Sequence, residues 1–111
     1  MKSSRIILLD GVEATGASTA VKSGVATHSV QVNYTNSGGS VTALVVDLEG
    51  SVDNVTFSQL ASHTFSAGEL TAETAIFHVV NKLAPYVRAN ITTLTETGTT
   101  AVTVLYSGSH E

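Results

Sequence analysis

The feature that most constrains this chain is the alternation of β-branched side chains with polar ones, in segments too short for helices. Val30, Val32 and Tyr34 alternate with Ser29, Gln31 and Asn33, and Val102, Val104 and Tyr106 share a parity near the C-terminal end. A period of two sends successive side chains to opposite faces of an extended strand, so each such segment has one face to bury. Val (15) and Thr (16) each outnumber all 14 charged residues. Branched side chains lose rotamer freedom on a helix and fit a pleated surface, so the composition favours strands. No window keeps a helical apolar period over three turns, and a brief helical turn near Ala67 to Thr74 is the one candidate.

Read along the chain, Arg5 to Leu9 is a first strand, and the Ala/Ser/Thr/Gly-rich stretch Gly11 to Gly24 holds a short irregular strand around Ser18 to Lys22. A half-buried strand through Ser29 to Tyr34 ends at a turn over Asn36 to Ser40. Val41 to Glu49 carries Leu44, Val46 and Leu48 on one face and Ala43, Val45, Asp47 and Glu49 on the other. A strand apolar on most of both faces is expected at the centre of a sheet. Further strands are predicted over Val55 to Ala61, Ala75 to Val80, Pro85 to Thr93 and Ala101 to Tyr106. About eight short strands at about ten-residue spacing, with turn signals between them, indicate an all-β sandwich or barrel. With no linker or internal repeat, residues 1–111 read as a single domain. A chain of this mass buries about 65% of its unfolded surface, enough for a core without staples.

Several function classes fit poorly. Five Lys plus Arg against nine Asp plus Glu leave a net charge of −4 and no basic stripe for phosphates, so no nucleic-acid partner is expected. The absence of cysteine rules out disulfides and thiolate metal sites. The apolar run Ile6 to Leu9 is too short for a signal peptide or a membrane span, so neither is expected. His28, His63, His78 and His110 lack metal-binding spacing, although His63 and His78 could meet across strands. Asp47 and Glu49 share a strand face and could raise each other's pKa, but a solvated sheet face explains them equally well. No serine sits in a Gly-x-Ser-x-Gly elbow, and Gly38-Gly39 precedes a strand, so neither acyl-transfer nor phosphate-loop chemistry is indicated. The sequons at Asn33, Asn54 and Asn90 read as by-products of a Thr-rich composition. The expectation is a non-enzyme with no metal and no cofactor.

Two segments carry the most information. In Leu48 to Leu60, Gly50 and Ser51 leave a strand, Asp53 and Asn54 make a tight turn, and Phe57 is expected to re-enter the core. In Ala84 to Asn90, Pro85 sets a turn, Tyr86 and Val87 pack, and Arg88 points to the face opposite Val87 and Ala89. A lone Arg in so charge-poor a strand is expected to pair with Asp53 or Asp47, in an ion pair worth under about 1 kcal/mol.

Gly50, Ser51, Asp53 and Phe57, followed by Tyr86, Val87 and Arg88, resemble the signatures of discoidin-like (galactose-binding-like) jelly rolls. There a Gly-Ser-x-Asp-Gly-x-x-Trp turn precedes an aromatic-Val-Arg strand; here Asn54 stands in place of the Gly and Phe57 in place of the Trp. The resemblance implies an all-β, single-domain β-sandwich of jelly-roll type in which these motif residues are scaffold and any ligand binds on loops elsewhere. Small cysteine-free, Val/Thr/Gly-rich versions of the pattern are also similar to short structural proteins of tailed bacteriophages. That likeness implies a non-enzymatic virion protein, foremost a capsid decoration (cement) protein binding the major capsid protein or other virion proteins and homo-oligomeric in the assembly. Under it the ends 1–9 and 107–111 are candidate partner contacts, with Arg5, Ile6, Ile7, Leu8 and Leu9 foremost. The alternatives are a tail or neck accessory, and a carbohydrate- or surface-binding module that would use Tyr34, Phe65 and Tyr86 as loop aromatics.

Overall fold

The computed structural model describes residues 5–109; His110 and the outermost parts of both ends lie outside the described residues. Its elements are β1 (Arg5–Val12), β2 (Gly16–Ala17), β3 (Val21–Val25), β4 (Thr27–Ser37), β5 (Val41–Ser51), β6 (Ser58–Thr64), α1 (Ala67–Ala72), β7 (Thr74–Val79), β8 (Ala84–Glu96) and β9 (Thr99–Ser109). One sheet runs β1-β9-β4-β7 and the other β2-β8-β5-β6, with β3 also paired to β8. Every pairing is antiparallel, and the two sheets stack as a jelly-roll-like sandwich. Nine strands lie among the described residues, because the irregular stretch before Thr27 yields two short ones, β2 and β3, instead of one.

Side-chain parity decides what lies between the sheets. Along β4, His28, Val30, Val32 and Tyr34 are buried, and β9 sets Tyr106, Val104 and Val102 directly against the last three. On the facing sheet Leu44, Val46 and Leu48 are fully buried, with Val46 opposite Ile91 and Leu48 opposite Ala89. Each such side chain contributes about 1.5–3 kcal/mol of hydrophobic stabilisation. β5 lies between β6 and β8, the central place its two apolar faces require.

The β6–β7 crossover between the sheets contains the helical turn. Ser66 caps α1 by accepting from the Glu69 backbone N–H, and the Glu69 carboxylate accepts from the Ser66 N–H at 2.9 Å, a capping box. Glu73 closes the helix in the left-handed region at φ 63°. His63 approaches the same carboxylate at 3.0 Å and stacks on Phe77 with ring centroids 5.2 Å apart. The Ser66 N–H, with further help from His63, holds the Glu69 carboxyl below its ordinary range against the opposing effect of desolvation.

One buried polar chain crosses the core. His28 donates from Nε2 to the Lys82 carbonyl at 2.8 Å, which leaves Nδ1 to accept the Tyr106 hydroxyl at 2.6 Å. That hydroxyl oxygen in turn accepts from Ser23 Oγ at 2.7 Å. Burial pushes the Tyr106 phenol above its ordinary pKa, against the lowering effect of the Ser23 bond, and so keeps it a donor. The chain ties β3, β4, β9 and the turn before β8 together, and each polar group within this chain has a partner. Tyr106→Phe is expected to lower the unfolding free energy by about 1–3 kcal/mol, because it strands His28 Nδ1 in the core. Urea denaturation checks this, and an unchanged midpoint would contradict it.

Candidate functional site

The β5–β6 connection is built around one carboxylate. Asp53 Oδ1 accepts the backbone N–H groups of Val55 and Thr56 and the Ser51 hydroxyl, each at 2.9 Å. The Asn54 N–H bonds Ser51 Oγ while Asn54 itself sits at φ 62°, a left-handed conformation that Asn tolerates. The Thr56 and Val55 amides, followed by the Ser51 hydroxyl, hold the Asp53 carboxyl down to about 2. Because these amides serve the turn, β6 begins at Ser58, later than the predicted Val55.

Arg88 does not pair with Asp53 or Asp47. Its Nε donates to Glu49 Oε1 at 2.6 Å, because the β5–β8 register sets Glu49 directly opposite Arg88 with both side chains on the outer face. Asn90 donates to the other Glu49 oxygen at 3.0 Å, and the guanidinium lies 4.1 Å from the Phe57 ring centre. Phe57 therefore does not re-enter the core; it lies half-buried outside the sheet as a cover for the arginine. Tyr86 is also half-buried on that face, opposite Ser51. Ser51, Asp53, Phe57 and Arg88, together with Glu49, thus form a brace that joins the turn, β5 and β8. Both Glu49 oxygens are engaged, so Asp47 and Glu49 do not present two free carboxylates to a substrate; buried Asp47 Oδ1 has no protein partner.

Beneath this turn lies an open groove of about 480 Å³, lined by Gly50, Val52, Thr56, Leu60, Leu83 and Ala84 among others. A β-carbon on Gly50 would lie 2.9 Å from Leu60 Cδ1 and 3.0 Å from Ala84 Cβ, so only glycine lets these chains approach so closely. Val52 and Val55 are each 80% exposed and Leu83 69% exposed. Val52 and Leu83 thus bring exposed aliphatic groups from two separate turns to the rim of one groove, with Val55 exposed beside Asn54 in the same turn as Val52. Sequence reasoning placed Val52 in a turn and Val55 at the start of a strand and missed this rim, since hydropathy does not report that two turns far apart in sequence adjoin.

The candidate contacts at the N-terminal end are placed differently from a free arm. Arg5, Ile6, Ile7 and Leu9 pair with Ser107, Tyr106, Leu105 and Val104 as the edge of a sheet. Leu8 is buried, and Ile6 and Leu9 pack against the core, which leaves Arg5 and Ile7 exposed. His63 and His78 do not meet: His63 faces inward against Phe77, and the next residue, His78, turns outward to Ser29 at 3.0 Å. Among the described residues no group of three or more His, Cys, Asp or Glu could hold a metal ion. No helix there is long and apolar enough to cross a membrane.

No family model matches the sequence, and no curated protein matches it. Solved structures do match. The SPBc2 prophage-derived protein YomS superposes with a TM-score of 0.59 at 8% identity, over 96% of this chain and 94% of that one. The PBSX exported protein XepA does so at 0.60 and 17% identity, over 96% of this chain and 38% of that one. CBM32-3, from a family 31 glycoside hydrolase of Clostridium perfringens, gives 0.53 at 15% identity, over 96% of this chain and 75% of that one. At these identities the likeness is one of fold, a sandwich found both in prophage proteins and in a carbohydrate-binding module.

Two measurements test the brace. The depressed Asp53 pKa means that its stabilisation is complete above about pH 4 and is lost as pH falls through about 2. The melting temperature of the wild type should therefore exceed that of Asp53→Asn at pH 5, and the gap should close toward pH 2. In a double-mutant cycle, Glu49→Gln and Arg88→Met should show a coupling of about 1 kcal/mol, with additive losses arguing against the pair.

Proposed function

We propose that this chain is a non-enzymatic structural protein of a bacteriophage virion, and within that class a capsid decoration (cement) protein that binds the major capsid protein. The observation that carries the reading is the end-to-end likeness to a small prophage-derived protein, 94% of which is covered by the same sandwich. The rest of the molecule suits a passive role. Its features are braced turns, an apolar core and an exposed aliphatic rim. In this mechanism Val52, Val55 and Leu83 are withdrawn from water against the partner, at about 25 cal/mol per Å² of apolar surface before the cost of association is subtracted. Arg5 and Ile7, exposed on β1, with the ends 1–9 and 107–111, add side-chain contacts that set register. The protein then resides in the virion, as a homo-oligomer on the assembled particle, and needs no cofactor, nucleic acid or membrane.

A tail or neck accessory is the near variant. The more distant alternative, a carbohydrate-binding module, has the CBM32-3 likeness in its favour. Of the three aromatics it would use, however, Tyr34 and Phe65 are 5% exposed and serve the core, leaving Tyr86. Quantitative mass spectrometry of purified particles distinguishes the readings. A copy number proportional to the major capsid protein is expected; a tail-like stoichiometry, or absence from particles, would overturn capsid decoration.

A further inference from the structure

We infer that β7 is a pairing edge whose occupant is β7 of a second copy of this chain, laid antiparallel across a two-fold axis. The inference stands apart from the capsid reading, because it rests on how the free sheet edges differ. An edge strand exposes unpaired N–H and C=O groups, and proteins that must stay monomeric protect it with charges, Pro, bulges or very short length.

Every other free edge here carries such protection. β1 has register shifts on both sides of Leu9 and bears Arg5 and Asp10. β6 has a register shift that skips Leu60, whose carbonyl accepts Lys82 Nζ at 2.8 Å. β2 and β3 are two and five residues long, with Gly16 and Gly24 at positive φ, and β3 carries Lys22. β7 has none of these devices. Its sequence, Thr-Ala-Ile-Phe-His-Val, lacks Lys, Arg, Asp, Glu, Pro and Gly, and it meets β4 in six consecutive registered pairs without a shift. Ile76 and the following Val80 are 56% and 58% exposed. An open groove of about 430 Å³, lined by Gln31, Glu69, Thr74, Ala75 and Ile76, runs beside the strand.

The composition of β7 favours a second copy as its occupant. In a chain of net charge −4, an edge that pairs with itself must avoid setting like charges opposite each other, and β7 is uncharged apart from the titratable His78. A two-fold axis at Ile76 sets that residue against its own counterpart, Ala75 against Phe77 and Thr74 against His78, so parity is kept on both faces. The outer-face row formed by Ile7, Leu105, Gln31 and Ile76 then continues through the axis into the second sheet. Five residues, Thr74 to His78, give about 17 Å of shared ladder, an interface under about 1,200 Å² and hence a weak, reversible dimer.

Sedimentation velocity over a concentration series tests this, with Ile76→Lys and Ile76→Glu as variants at an exposed side chain whose folding is checked by thermal melts. Wild type is expected to dimerise with a Kd of about 0.1 mM, and each variant alone to dimerise at least roughly tenfold more weakly. An equimolar mixture of the two variants should regain association, because only across a two-fold at this position do the new charges meet as opposites. A wild type that stays monomeric at about 1 mM, an association that either variant leaves intact, or a mixture that gains nothing would each overturn the inference.

Discussion

The antiparallel ladder between β5 and β8 is the constraint on which the rest of the molecule depends. Its ten registered pairs send Leu44, Val46 and Leu48 inward against Ile91 and Ala89, and Glu49 outward against Arg88. A slip of one residue would invert both faces, sending Leu44, Val46 and Leu48 outward and turning Glu49 into the core away from Arg88. Burying that carboxylate without its partner costs several kcal/mol, which disfavours the slipped register. With the ladder set, β6 has an edge on which to pair, and Arg88 has both its carboxylate and the Phe57 ring that covers it.

Stability and the capacity for contact are housed in different parts of the fold. The strand interiors and the buried His28–Tyr106–Ser23 chain are satisfied internally and offer little to a partner. The turns at the groove end are rigid for a local reason, the three bonds collected by Asp53, and that rigidity lets them expose Val52 and Val55 without collapsing onto the core. Under the proposed function, a preorganised apolar rim of this kind would lose little entropy on docking.

Much of this was legible in residue order. The alternation around Val30, Val32 and Tyr34 placed those side chains inside; that the same parity runs back to His28 and makes it a core histidine emerged only from the structure. Arg88 lies on the face opposite Val87 and Ala89, as read. Its partner was not legible. Asp53, Asp47 and Glu49 are equivalent candidates until a register is known, and the choice of Glu49 is a property of the β5–β8 pairing. Phe57 was assigned to the core because aromatics usually seek it, but two residues beyond Val55 in a turn whose amides are held by Asp53, it emerges on the outer face.

By itself the sequence determined periodicity, and with it the identity of most strands, the buried faces of β4, β5, β8 and β9 and the turn chemistry at Ser51 to Asn54, because all of these follow from neighbours a few residues apart. Only the tertiary structure decided which strands adjoin, which carboxylate Arg88 meets, that Leu83 joins Val52 at one groove, and that β7 is the unguarded edge. Those outcomes depend on contacts between residues tens of positions apart, and such contacts are selected by the packing of two whole sheets, a condition that no local pattern encodes.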